Sequence, residues 1–110
     1  MMGKYLIIKK EFEFLKNIYG FEISLKQKHG AWYFIKWTNP NINIMVLYDD
    51  QIDERLENPL CIRVYDALSL GFDAVEYKED LWQRCKKPRE KIHCAAEWLR
   101  QAIADNRIII

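Results

Sequence analysis

Asn41-Ile42-Asn43-Ile44-Met45-Val46-Leu47-Tyr48 decides the fold of this chain. Side chains alternate across a strand, so Ile42, Ile44, Val46 and Tyr48 share one face and Asn43, Met45 and Leu47 the other. Met45 and Leu47 make the second face apolar as well. A sheet with apolar residues on both sides needs cover on both. Three more stretches alternate in the same way, at residues 22–28, 32–38 and 61–66. In the first of these, Ile23 and Leu25 read as one face and Glu22, Ser24 and Lys26 as the other. His29-Gly30 and Asn39-Pro40-Asn41 are turn sequences. The four strands therefore read as an antiparallel meander.

Upstream of the strands, Ile8, Phe12, Leu15 and Ile18 or Tyr19 recur at helical spacing. They predict an amphipathic helix of about three turns, closed by Gly20. Downstream, residues 66–77 lose periodicity and read as a loop bent at Gly71. Glu79 and Asp80 precede Arg84, Lys86 and Lys87, the order that a helix dipole favours. Pro88 then opens another helix, with an apolar stripe of Ile92, Ala95 or Ala96, Leu99, Ala102 and Ile103 that closes near Asn106. Ile108-Ile109-Ile110 must find a groove or a strand position to avoid aggregation. The expected architecture is one α+β domain over residues 1–110: an N-terminal helix, a four-stranded antiparallel meander, and C-terminal helices packed on one face of the sheet.

The chain has 110 residues, of which 50% are hydrophobic and 30% charged, enough for a core without metals or disulfides. A formal net charge of +1 supplies no general attraction to nucleic acid or anionic lipid. No apolar run reaches the length of a membrane span, and the lysine-broken N-terminus lacks a secretory pattern. The three cysteines contain no CxxC pair. These features predict a cytoplasmic protein with reduced thiols and no membrane association.

Asp49, Asp50, Asp53, Glu54 and Glu57 form an acidic connection that can hold a divalent cation, as a metal-dependent hydrolase or nuclease requires. Its spacing fits no calcium loop, because the central glycine is missing and Arg55 interrupts it. The same connection can instead steer a basic partner surface. Cys61, Cys85, Cys94, His29 and His93 lack zinc-ligand spacing, and adjacent His93 and Cys94 diverge on a helix. Cys94 reads as a small core residue. Cys61 with His29 is the pair closest to a nucleophile and its base, but no surrounding motif supports it. Arg84, Lys86, Lys87, Arg89 and Lys91 near Trp82 offer phosphate contacts and a stacking ring. Interleaved Glu79, Asp80 and Glu90 make a solvated helix end the better account, so nucleic acid is disfavoured as a partner. No cofactor is implied.

If Lys36 and Thr38 face solvent, Trp32 and Phe34 share that outer face, joined by Met45, Leu47, Arg63 and Tyr65. These residue types are enriched in protein interfaces. The cover they require is either a partner or the chain's own 66–80 segment or isoleucine tail.

Phe14-Leu15 through Tyr19-Gly20-Phe21, the pair of segments 43–49 and 62–66, and Ala95-Ala96-Glu97-Trp98-Leu99-Arg100 resemble a group of small bacterial α+β proteins. Some of that group are immunity proteins of polymorphic toxin systems, which bind and neutralise a cognate toxin. The resemblance implies a non-catalytic binding protein and carries over no site residue. The expected function is protein binding or self-association through Trp32, Phe34, Met45, Leu47, Arg63 and Tyr65, with Asp49, Asp50, Asp53 and Glu54 of the acidic connection. The alternative is a metal-dependent hydrolase or nuclease centred on residues 49–57.

Overall fold

A computed structural model describes residues 3–49, 59–69 and 71–110 of the chain. The alternating stretches form β1 (Glu22–His29), β2 (Trp32–Thr38), β3 (Ile42–Asp49) and β4 (Leu60–Asp66), hydrogen-bonded in chain order as an antiparallel meander. Gly30, with φ 61°, makes the two-residue turn between β1 and β2. Between β2 and β3, the Asn39 side-chain Oδ1 accepts the backbone N–H groups of Asn41 and Ile42 at 2.8 and 2.7 Å. That is the chemistry which favours Asn at such turns.

The meander has five strands, one more than the sequence suggests. β5 (Val75–Tyr77) pairs with β4, Ile62 facing Tyr77 and Val64 facing Val75. Three residues are too few to show a period, so this strand was hidden in the apparent loop.

A second departure lies in β1. Its register shifts between Ile23, which pairs with Trp37, and Leu25, which pairs with Lys36. The irregularity at Ser24 reverses the alternation. Ile23 and Leu25 consequently lie on opposite faces, not on one.

The long N-terminal helix is also broken. It comprises α1 (Lys4–Glu11) and the single turn α2 (Phe14–Asn17); Phe12 in the break and Phe14 at the start of α2 are both buried. Gly20 adopts φ 73° and lets Phe21 return its N–H to the Leu15 carbonyl at 2.9 Å. The acid-to-base segment forms only one turn, α3 (Asp80–Gln83), before α4 (Pro88–Ala104) begins at Pro88 as expected.

One core unites these elements. The α4 stripe of Ile92, Ala95, Ala96, Leu99, Ala102 and Ile103 joins Ile35, Trp37, Ile42, Ile44, Val46, Tyr48, Leu60 and Ile62 of the sheet, together with Ile8, Phe12 and Leu15. Beyond α4, Asn106 takes φ 60°, and Arg107 donates to the Ala102 carbonyl at 2.8 Å while Asn106 donates to that of Ile103 at 3.1 Å. This pairing closes the helix and turns the chain back. Ile108 is thereby driven into the inner core at 3% exposure, and Ile110 packs against that core, while Ile109 is 77% exposed.

The isoleucine tail therefore belongs to the helical side of the sheet. Ile108→Ala should cost about 2–4 kcal/mol in urea unfolding. Ile109→Ala should stay within about 0.5 kcal/mol of the parent.

Candidate functional site

The strand registers carry four rows of side chains across the face opposite the helices. Thr38 of β2 lies opposite Asn43 of β3, which pairs with Tyr65 of β4. In the next row Leu25, Lys36, Met45, Arg63 and Glu76 follow one another from β1 to β5. Gln27, Phe34, Leu47 and Cys61 make the third row, and His29, Trp32 and Asp49 the fourth. Thus Trp32, Phe34, Met45, Leu47, Arg63 and Tyr65 do share one face with Lys36 and Thr38.

No described helix crosses this face. The helices contribute their buried residues to the core on the other side, and β5 extends the sheet in its own plane. The Trp32 and Phe34 rings are neighbours with centroids 6.3 Å apart and a 32° tilt, and Trp32 is 36% exposed. Arg63 pairs with Glu76 at 2.6 Å, both partly exposed. Such a pair at the surface contributes little to stability, roughly 0–1 kcal/mol, but it fixes the guanidinium. The buried Nε of Arg63 has no hydrogen-bond partner among the described residues.

The face is not uniformly open. Leu47 and Cys61, opposite one another, are 6% and 5% exposed although they lie outside the inner core, and Asn43 is buried as well. Burial, then the Glu76 carboxylate, push the Cys61 thiol up, against the opposing pull of Lys78 and Arg63. Burial likewise raises the Tyr65 hydroxyl, so it remains a donor at neutral pH.

Of the acidic connection, Asp49 is placed: its N–H donates to the Pro59 carbonyl at 2.7 Å, drawing the two ends of the connection together. Asp50, Asp53, Glu54 and Glu57 lie outside the described residues. Among the described residues no group of three or more His, Cys, Asp and Glu side chains is arranged to hold a metal ion.

The other chemical candidates are separated by the fold. His29 on β1 and Cys61 on β4 have two strands between them, about 14 Å at ordinary strand spacing. Trp82 is fully buried and donates its indole N–H to the Leu60 carbonyl at 3.3 Å, so it offers no ring to a nucleic-acid base. Lys91, 8% exposed, donates to the carbonyls of Trp82 and Gln83 at 3.3 and 3.0 Å. It closes α3 and leaves the basic cluster.

Two residues escaped the sequence reading. Leu68 and Phe72 are 99% and 92% exposed in the turn between β4 and β5. That turn is held by a Ser69–Asp73 side-chain hydrogen bond, and the Gly71 N–H donates to Ser69 Oγ at 3.0 Å. Two apolar residues at turn spacing carry no periodic signal, so only the structure exposes them.

No helix among the described residues is long and apolar enough to cross a membrane. Comparison with protein-family models, curated proteins and solved structures finds no match.

Lys91→Ala should cost about 1–3 kcal/mol by removing the donor to one buried and one part-buried carbonyl. Arg84→Ala, at an exposed position, should change urea stability by less than about 0.5 kcal/mol. Cys61 should alkylate slowly at neutral pH and faster as pH rises, because its thiolate forms only above the ordinary thiol range.

Proposed function

We propose that this chain is a non-catalytic protein-binding module whose partner docks on the outer face of the sheet. The observation that supports the reading is the makeup of that face. Trp32, Phe34, Met45, Arg63 and Tyr65 stand in adjacent rows, on the side away from the helices. Aromatic, Met and Arg side chains are those that supply most of the energy of protein interfaces. The tilted Trp32–Phe34 ring pair is a preformed anchor, which lowers the ordering cost of association. Arg63 and the Tyr65 hydroxyl add polar contacts that fix orientation.

Two partners fit this reading: a cognate protein neutralised in the manner of an immunity protein, or a second copy of the chain. Asp49, together with the acidic residues that follow it in sequence, favours a partner with a basic rim.

The variant pair Trp32→Ala with Met45→Asp tests the face. Leu47 is unsuited to this purpose, because a charge at so buried a position tests folding. The pair should leave the circular dichroism unchanged. It should weaken self-association in sedimentation, or retention of a partner from source-cell extract, by at least about 30-fold. Ile109→Asp, on the helical side, should leave both unaffected. Unchanged mass and unchanged retention in the double variant would remove the reading.

A further inference from the structure

Cys85 and Cys94 lie far apart from the outer face, at the corner where α3 meets α4. Their sulfurs are 3.7 Å apart. A disulfide requires about 2.05 Å, so the pair must close by only about 1.6 Å. Both are partly accessible, whereas Cys61 is buried. Sequence spacing gives no hint of this pair, because a corner between two helices, not a CxxC turn, brings the thiols together.

The surroundings favour exchange chemistry. A pocket of about 390 Å³ adjoins the sulfurs, lined by Glu11, Cys85, Arg89, Glu90, His93 and Cys94. Its volume falls in the range that admits small molecules. On its wall His93 Nδ1 lies 2.8 Å from Glu11 Oε2, which ties α4 to α1. Cys85 sits just beyond the single turn of α3, and its N–H donates to the Trp82 carbonyl at 3.3 Å. That anchorage to the fully buried Trp82 holds the backbone, and the Cys85 thiol lies 3.9 Å from the Leu81 carbonyl and 3.7 Å from Cys94 Sγ.

We propose that Cys85 and Cys94 form a redox-active dithiol site that exchanges with low-molecular-weight disulfides. The Cys85 thiol gives its proton to solvent, and the thiolate attacks one sulfur of the reagent. A Cys85–reagent disulfide forms, and the reagent's own sulfur–sulfur bond breaks to release one thiol. Cys94 then loses its proton and attacks the Cys85 sulfur, releasing the second thiol and leaving Cys85–Cys94 bonded. The protein loses two electrons and two protons, and the reagent gains both. Burial, then the neighbouring Cys85 and the Glu90 carboxylate, push the Cys94 thiol up. Cys94, fixed within α4, is the resolving partner of Cys85, which lies between the two helices, and closure accelerates as pH rises. The site stands on the helical side of the sheet and is independent of the proposed binding face.

The full chain incubated with oxidised glutathione tests this. Intact mass should show the loss of two hydrogens, peptide mapping should place the bond at Cys85–Cys94, and excess reduced glutathione should reverse it. Cys61→Ser should behave as the parent. Cys94→Ser should stop at the glutathione adduct on Cys85, and Cys85→Ser should form no internal disulfide. Closure should outpace modification of Cys61 by at least about tenfold, and the oxidised protein should melt roughly 5–10 °C higher. A bond mapped to Cys61, adducts without closure in the parent, or no reaction at any site would each overturn the proposal.

Discussion

One amphipathic helix can cover only one face of a sheet, and the rest of the structure follows from that constraint. α4 lays Ile92, Ala95, Ala96, Leu99, Ala102 and Ile103 into a core with the inward residues of β2, β3 and β4. The other described helices and the chain end serve the same side. α1 and α2 add Ile8, Phe12, Phe14 and Leu15, α3 adds Trp82, and the chain end adds Ile108. Trp82 is the joint among them, since its ring meets Trp98 of α4 edge-on at 5.4 Å while its indole N–H reaches β4. The helical layer is thereby committed to one face.

The other face depends on its own cross-strand neighbours. Leu47 and Cys61 are buried at paired positions on adjacent strands, and Arg63, in the next row, is held by Glu76. Cross-strand pairs of this kind contribute roughly 0.2–1 kcal/mol each, enough to order a surface and too little to form a second core. The result is a face that is partly open, with the Trp32–Phe34 ring pair at one end and Tyr65 at the other. Those are the properties the binding proposal rests on.

Sequence was informative wherever a long period had room to repeat. β3 spans eight residues and its inward set could be read directly, as could the α4 stripe and its start at Pro88. Reading failed where a single residue reset the period or where the element was too short. Ser24 reversed the parity of β1, Phe12 and Phe14 were both buried across a helix break, and β5 had three residues. The outer-face residues were legible because parity alone places them. The exposure of Leu68 and Phe72, and the meeting of Cys85 with Cys94, depend on how turns and corners are folded, which periodicity does not encode. Trp82 shows the converse: a tryptophan among bases suggests nucleic acid until its burial is known.

The break in alternation at Ser24 has a consequence for how the molecule meets its neighbours. It turns Lys26 and Lys28 towards the helical side of the outermost strand, where their ammonium groups sit 5.1 Å from the rings of Tyr5 and Tyr33 respectively. Charged side chains directed inward along an edge obstruct another chain from adding a strand there. At the opposite edge β5 is only three residues long, too short a template for extension. Both margins of the sheet are thus closed to growth into a continuous ribbon. Strand addition is obstructed at both edges, which leaves the broad side of the sheet as the surface on which the proposed docking would take place.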